Sequence, residues 1–173
     1  MKKLTLPCAK EELRDLRAGE EVLISGTIYT ARDAAHGRMK KMLDEGISLP
    51  LDLKSSVIYY AGACPAKPGA VIGSCGPTTS RRMDGYAPQL FDLGLIATIG
   101  KGPVSNEVLE ALKRNGAVYF CATGGAGALI AKCVEECDVI AFDDLGPEAI
   151  KKLKVKDMPV IVGADSTGKT TVK

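Results

Sequence analysis

Two stretches of the sequence place basic side chains where a helix is expected to begin. In TARD (30–33), Thr30 is a natural N-cap and Asp33, three residues later, completes a capping box. Arg32 then falls in the first turn, where a cation opposes the helix dipole at a cost of roughly 0.3 kcal/mol or more. An anion docked on the free helix amides turns that cost into a gain. The stretch therefore predicts an anion site.

The second stretch, GPTTSRRMD (76–84), repeats this arrangement. Its helix start carries three hydroxyls followed by two cations: Thr78, Thr79, Ser80, Arg81 and Arg82. Two strand-to-helix junctions with the same anomaly favour an anion site. A further junction cation, Lys101 in TIGKGP, lies between glycines that let a ligand approach the backbone.

Arg32, Arg82 and Lys101 are suited to bind the two carboxylates of one small dianion, the arginines through their planar forks. Each arginine alone also fits a solvated surface residue. His36 lies one turn beyond Arg32 on the same helix face. It could orient or protonate a ligand, or it could be a hydrogen-bonded core histidine.

Hydrophobic periodicity predicts the elements that must position these residues. Strands are expected at 20–30, 55–63, 69–76, 95–102, 117–125, 138–144 and 158–164. Helices are expected at 31–46, 78–94 (in two pieces), 105–116, 126–137 and 147–155. The alternation in the second half is typical of a parallel sheet, and the 55–63/69–76 pair predicts a hairpin. We therefore expect a three-layer α/β domain with a mixed sheet.

The stretch GADSTGKT (163–170) fits the phosphate-loop pattern G-x-x-x-x-G-K-[ST]. That mechanism needs a helix directly after the loop, whereas fewer residues than one helical turn follow Thr170. A terminal hairpin explains the residues better, with 158–164 and 169–173 as strands and STG as the turn. Lys169 is then a turn residue rather than a phosphate ligand.

Composition narrows the class of protein. The 173 residues carry a net charge of only +2, which gives no reason to expect nucleic-acid or membrane binding. No apolar run has the length of a transmembrane span or a signal peptide, so we expect a cytoplasmic protein. Six cysteines show neither zinc nor ferredoxin spacing and are expected to be buried thiols; they are Cys8, Cys64, Cys75, Cys121, Cys133 and Cys137.

The motifs YTARDAAHGRM, GPTTSRRMD and IGKGP, in this order and spacing, resemble a known family. It is the β subunit, or C-terminal domain, of the iron–sulfur hydro-lyases: class I fumarase and L-tartrate dehydratase. The resemblance covers nearly the whole chain, including GGAGAL and DVIAFDDLGPEAI. It implies a single β-type domain at 1–173 with a swivelling β/β/α fold. It also implies a [4Fe-4S] cluster held by the cysteines of a separate α subunit, within an α2β2 heterotetramer.

The resemblance also implies roles for individual residues. By motif position, Arg32, Arg82 and Lys101 bind substrate carboxylates. Thr78 matches the catalytic base, although it could instead only hydrogen-bond the substrate. His36 matches the histidine of the RDxAH pattern and is a catalytic candidate. Arg81 departs from the pattern, because many relatives carry a small or apolar residue there.

The implied function is reversible hydration of a C4 dicarboxylate, fumarate/malate, with L-tartrate as the alternative substrate. Cations stabilise the aci-carboxylate that forms when a proton leaves the adjacent carbon. A Lewis acid must take the hydroxyl, and an iron of the partner's cluster would supply it. The competing hypothesis is a non-enzymatic swivelling domain that binds a small anion or a partner.

Overall fold

The computed structural model of the chain describes residues 1–123 and 126–173. In this part of the chain the strands are β1 (Lys2–Leu6), β2 (Glu21–Thr30), β3 (Val57–Tyr59), β4 (Ala97–Gly100), β5 (Val118–Cys121), β6 (Val134–Ala141) and β7 (Ile150–Ala164). The α-helices are α1 (Lys10–Arg14), α2 (Asp33–Asp44), α3 (Ala87–Asp92), α4 (Asn106–Asn115) and α5 (Gly127–Ala131). Two 3₁₀ helices span Ser80–Met83 and Asp143–Glu148. None of the described helices is long and apolar enough to cross a membrane.

The described strands form one mixed sheet in the order β1-β2-β3-β4-β5-β7-β6. The first five strands pair in parallel, while β7 runs antiparallel to β2, β5 and β6. The β2–β7 pairing closes β2, β3, β4, β5 and β7 into a ring. The prediction of an α/β fold with a mixed sheet is confirmed.

Side chains along the strands alternate between two apolar cores. On β5, Val118 and Phe120 enter the inner core, to which all seven strands contribute, while Tyr119 enters the outer core. The outer core lies beneath α2, α3 and α4, which bury residues such as Met39, Phe91 and Leu112. The closed sheet supplies two β layers and these helices supply the third.

Local sequence signals place α4 where it was predicted. Ser105 is the N-cap and accepts a hydrogen bond from Val108 N (3.3 Å). Gly116 closes the helix in the left-handed conformation at φ 63°. The helix at 31–46 is also present as α2, but the predicted cap at Thr30 is wrong. The N-cap is Arg32. The Thr30 hydroxyl accepts a hydrogen bond from Lys151 N of β7 at 3.2 Å instead of capping the helix.

The predicted strand at 69–76 is absent from the structure. These residues lie beside the preceding segment and form two backbone hydrogen bonds with it. Cys64 N donates to Ser74 O at 2.9 Å, and Gly73 N donates to Cys64 O at 3.1 Å. These two hydrogen bonds keep the hairpin-type connection without forming a ladder. The strand at 55–63 is correspondingly shorter than predicted and ends as β3 at Tyr59.

Two predicted helices are wrong over most of their length. The 126–137 segment is helical only as α5, and from Val134 it becomes β6. In the 147–155 segment, positions 147–148 end the second 3₁₀ helix, and the chain continues as β7 from Ile150. Both edges of β7 find partners, since β2 pairs with one and β6 with the other. That long-range pairing outweighs the local helical spacing of Ile150 and Leu153.

The chain after β7 turns back on itself as predicted for GADSTGKT. Asp165 caps the turn by accepting from Thr167 N (2.9 Å), and Ala164 pairs with Thr170 in a single antiparallel bridge. The predicted strand at 169–173 is therefore reduced to that bridge. Lys169 is exposed in the turn. In the predicted strand 117–125, β5 ends at Cys121, and positions 124–125 lie outside the described residues.

Gly100 allows the Ser80–Met83 helix to lie against β4. A Cβ atom at this position would come 1.9 Å from Ser80 Oγ and 2.8 Å from the Tyr60 ring. We therefore expect Gly100→Ala to lower the free energy of unfolding by about 1–3 kcal/mol in urea titrations. Gly85→Ala is the control, since a Cβ there meets nothing within 4 Å. Equal stability of Gly100→Ala and wild type would contradict this packing.

Candidate active site

The candidate site lies where three parallel strands end. Thr30, the last residue of β2, pairs with Tyr59 on β3, and Tyr59 pairs with Ile99 on β4. Parallel neighbours end at the same edge of a sheet. The segments that leave β2, β3 and β4 carry the three sequence motifs, so the fold brings these motifs together.

The second motif lies along the ends of β3 and β4. Thr78 N donates to Tyr60 O at 2.6 Å, which fixes the backbone of this half-buried threonine. Thr79 then forms a parallel bridge with Lys101, and Ser80 N donates to Lys101 O at 3.0 Å. Thr78 and Lys101 are thereby held on adjacent stretches of backbone.

A buried hydroxyl pair fixes the 3₁₀ helix that carries the arginines. Tyr119 Oη donates to Gly102 O at 2.8 Å and lies 2.8 Å from Ser80 Oγ. Because the hydroxyl proton of Tyr119 is donated to the Gly102 carbonyl, the hydrogen bond between the two hydroxyls is donated by Ser80 Oγ and accepted by Tyr119 Oη. Burial, which is the largest cause, raises the pKa of Tyr119, so the phenol stays protonated and keeps donating.

Arg82 connects the second motif to the first. Its Nη2 forms an ion pair with Asp33 Oδ2, at the first residue of α2. The Arg82 side chain remains 55% exposed, so it can also reach a ligand from this position. Arg81 is exposed. Burial raises the pKa of the nearby Asp84 carboxyl, and the Arg81 charge offsets part of that rise.

Arg32 is more buried than Arg82. Its side chain is 28% exposed, and its Nε lies 3.9 Å from Glu148 Oε1. This Nε is buried and has no hydrogen-bond partner among the described residues. Glu148 Oε1 also accepts a hydrogen bond from Ala34 N at 3.3 Å. One of the free amides at the start of α2 is therefore already bound by a carboxylate of the chain itself.

His36 lies beneath this edge and is 1% exposed. Its Nδ1 lies 2.8 Å from Arg32 O, and because a carbonyl only accepts, Nδ1 carries the proton. The ring packs edge-on against Tyr60, with centroids 5.4 Å apart, and tilted against Tyr86. Nε2 is then a buried acceptor without a partner in the described structure. Burial lowers the pKa of His36 to about 4, so the ring is neutral at pH 7.

The structure brings together the residues that the sequence singled out. Arg32, Thr78, Arg82 and Lys101 lie on segments that meet at one sheet edge, with His36 packed below Arg32. Sequence reasoning missed two acidic partners of the arginines. Asp33 was assigned only to a capping box, and Glu148 was placed in a predicted helix. The Ala34–Glu148 contact spans 114 residues, and no local pattern signals it.

The described residues do not fit a metal cluster. No group of three or more His, Cys, Asp or Glu side chains among them is arranged to hold a metal ion. All six cysteines are free thiols, of which Cys8 and Cys75 are buried and Cys64 is exposed. Burial raises the pKa of Cys75 to about 12, which disfavours the thiolate that metal binding needs. The expectation of buried thiols therefore holds for only part of the set.

Comparison with known proteins identifies the family. The family model described as Fumarase C-terminus matches residues 1–173, and the chain belongs to this family. Fumarate hydratase 2 of Leishmania major is 39% identical over 162 residues. A Methanocaldococcus jannaschii protein named as L(+)-tartrate dehydratase subunit beta is 41% identical over 165 residues. The aerobic class I fumarate hydratase of Salmonella typhimurium is 35% identical over 160 residues. The resemblance seen in the three motifs is confirmed.

These relatives differ in how much of their length the chain covers. The matched regions include 92%, 92% and 91% of this chain, in the same order. The chain spans 28% of each of the two fumarate hydratases and 85% of the tartrate dehydratase subunit. It therefore corresponds to one part of a longer polypeptide in the former and to nearly a whole subunit in the latter.

The buried neutral histidine can be tested directly, because the chain contains one histidine and its ring signals are unique. We expect its NMR resonances not to titrate between pH 8 and pH 5. Since the pKa is lowered on folding, the unfolded chain binds the proton first, and stability falls as pH falls below 6.5. This group should remove about 2 kcal/mol of unfolding free energy between pH 8 and pH 5.

The control is His36→Gln, in which this part of the pH dependence should disappear. A histidine titration midpoint near 6.5 in the folded wild-type chain would contradict the buried, neutral assignment.

Proposed function

We propose that the chain is the β subunit of a two-subunit hydro-lyase that reversibly hydrates a C4 dicarboxylate, with fumarate and malate as the substrate pair. The observation that carries this proposal is that the segments bearing Arg32, Arg82, Lys101 and Thr78 meet at one sheet edge. Membership of the fumarase C-terminus family supports it. In this proposal residues 1–173 act as one fumarase/tartrate dehydratase β-type domain.

The cations answer the main electrostatic demand of the reaction. Removal of a proton from the carbon beside a carboxylate puts a second negative charge on that carboxylate. Arg32 and Arg82 bind carboxylates through two parallel N–H donors, and Lys101 adds a point charge. Fixed cations that meet this charge as it develops lower the barrier without reorganising.

Thr78 is the proposed acceptor of that proton. A neutral hydroxyl is a weak base, and positive charge from Arg82 and Lys101 favours the alkoxide form of Thr78. The 2.6 Å hydrogen bond from Thr78 N to Tyr60 O fixes the backbone of Thr78 and so the position of its Cβ atom. Thr78→Ser tests this role, because serine keeps the hydroxyl and should retain far more activity than Thr78→Ala.

His36 is the proposed organiser of the first motif. Its Nδ1–H holds the carbonyl of Arg32, and its ring is 1% exposed. A neutral ring with a pKa of about 4 is a poor proton donor at pH 7, so an orienting role suits it better than protonation of the substrate.

The remaining chemistry is proposed to come from a partner chain. The resemblance implies a [4Fe-4S] cluster, and the described cysteines of this chain do not fit one. We place the cluster on a cysteine-bearing α subunit in an α2β2 heterotetramer, where it would act as the Lewis acid. The free thiols are in keeping with a cytoplasmic location.

The experiment that tests the function uses both subunits. The chain is co-purified anaerobically with a candidate iron–sulfur α subunit, and fumarate hydration, malate dehydration and L-tartrate dehydration are assayed. Activity on fumarate and malate supports the proposal. Activity confined to L-tartrate supports the second candidate, which is favoured by the 85% coverage of the tartrate dehydratase subunit. Absence of all three activities in a complex with its cluster supports a non-enzymatic swivelling domain.

Arg82→Lys keeps the charge but loses the planar fork. Hydrogen bonds to a charged group contribute about 1.5–3 kcal/mol, so kcat/KM of the assembled enzyme should fall by roughly 10- to 150-fold. The measurement is steady-state kinetics over fumarate and malate.

Arg81→Ala is the matched control, because Arg81 is exposed on the same 3₁₀ helix. It should change kcat/KM much less and act mainly on salt dependence or assembly. A silent Arg82→Lys combined with a crippling Arg81→Ala would show that the site has been assigned in the wrong register.

The placement of the cluster gives a further prediction. Anaerobic reconstitution of the isolated chain with iron and sulfide should yield no stoichiometric cluster and no hydratase activity, because the described cysteines do not converge. Iron analysis and visible absorption provide the measurement. A cluster bound at one per chain would overturn the assignment of the cluster to the partner.

A further inference from the structure

Glu148 faces Arg32 from a segment that lies far away in the sequence. Its Oε1 lies 3.9 Å from Arg32 Nε and accepts from Ala34 N at 3.3 Å. We propose that Glu148 is a positioning residue, which holds the Arg32 guanidinium in the orientation that binds a substrate carboxylate. This inference rests on the proposed function, because it concerns the same site.

The backbone around Glu148 is fixed on one side by the sheet. Ala149 and Ile150, which follow it, are almost completely buried. Lys151 N donates to the Thr30 hydroxyl at 3.2 Å, and that hydroxyl lies 3.5 Å from Ala149 O. The backbone that follows Glu148 is therefore held against Thr30, the last residue of β2, which lies two residues before Arg32.

On the other side, residues 142–148, here named the strap, are tied to α2. Arg38 donates to both carboxylate oxygens of Asp144 at 2.7 Å, and its guanidinium carbon lies 4.8 Å from the centroid of the Phe142 ring. A bidentate pair fixes both distance and orientation. Anchored at both ends, the strap presents Glu148 to the first turn of α2 with little freedom.

The stem of Arg32 is confined by its neighbours. A Cβ atom at position 62 would lie 3.0 Å from Arg32 Cδ and 3.2 Å from Pro147 O, so Gly62 leaves just enough room for both. Within this space the charged group that approaches Nε is Glu148. With Nε on the Glu148 side, the two terminal nitrogens are left to form a planar fork on a carboxylate, as those of Arg38 do on Asp144. Contact on the Nε side therefore orients the fork without competing for it.

Electrostatics require such a partner. The Arg32 side chain is 28% exposed, and a largely buried cation without a counter-charge is costly. The Glu148 side chain is 33% exposed, so the pair is partly screened and its main effect is orientation rather than stability. The negative charge of Glu148 thus allows the Arg32 guanidinium to remain in a partly desolvated site before a substrate binds.

The test is a double-mutant cycle in the assembled two-subunit enzyme. Glu148→Gln removes the charge but keeps an oxygen that can accept from Ala34 N. We expect it to raise KM for fumarate and malate and to lower kcat/KM by about tenfold. In an Arg32→Lys background the same change should cost less than about twofold, because the group being positioned is gone. In an Arg82→Lys background it should again cost about tenfold.

Asp143→Asn is the matched control, since it removes an exposed carboxylate from the same strap and leaves the Arg38–Asp144 anchor in place. It should remain within about twofold of wild type. Equal losses in Glu148→Gln and Asp143→Asn, or full additivity of Glu148→Gln with Arg32→Lys, would assign Glu148 a general structural role and overturn the proposal.

A second measurement decides the inference even if the assembled complex proves to have no hydro-lyase activity, which would remove the proposed function. The Nε–H signal of Arg32 is assigned in the full chain by its loss in Arg32→Lys. Its ¹⁵N order parameter should be high in wild type and Asp143→Asn and should fall clearly in Glu148→Gln. An order parameter that is unchanged in Glu148→Gln shows that Glu148 does not hold Arg32, whatever reaction the complex catalyses.

Discussion

The parallel pairing of β2, β3 and β4 is the constraint on which the candidate site depends. It makes three chain segments, distant in the sequence, leave the sheet at one edge. Arg32 follows β2, Thr78 binds the chain beyond β3, and Lys101 follows β4. A shift of one residue in any of these pairings would turn the strand's side chains to the opposite face. The two cores resist such a shift, because residues such as Tyr59 and Tyr60 enter different cores.

Closure of the sheet by β7 adds the acidic partner of Arg32. Because β7 pairs with β2 from Thr30 onward, the residues just before β7 lie beside the start of α2. Glu148 reaches Arg32 from there, and Asp33 reaches Arg82 from the helix itself. The site therefore combines two arginines that each have a carboxylate partner with an exposed lysine. Exposed or half-exposed ion pairs contribute little to stability, so we assign these carboxylates to geometry rather than to folding energy.

The elements that could be predicted from the sequence are those whose structure is determined by residues that are neighbours in the sequence. β2 shows a β-branched run, and α4 has a serine cap, an apolar face and a closing glycine, so both were predicted close to their true bounds. The segments 126–137 and 147–155 were predicted wrongly because their strands exist only through pairing with each other and with β2. No window of neighbouring residues contains that information.

The same distinction applies to the candidate site. Arg32, Arg82 and Lys101 are candidates from the sequence because a cation at a strand-to-helix junction is unusual in its local context and because the three motifs match a family. Glu148 could not be predicted, since its contact with Ala34 joins residues 114 positions apart. Asp33 looked like part of a helix cap, and only the three-dimensional position of the Ser80–Met83 helix makes it the partner of Arg82.

A crystal structure of the assembled complex with a non-reacting dicarboxylate such as succinate tests the central claim most directly. The account predicts carboxylate oxygens within about 3 Å of the guanidinium groups of Arg32 and Arg82, with Lys101 facing the same ligand. The chain also has a pocket lined by Thr27 and Tyr29 of β2 together with Asp52, Lys54 and Lys152. Succinate bound there, with Arg32 and Arg82 still paired only with Glu148 and Asp33, would contradict the account.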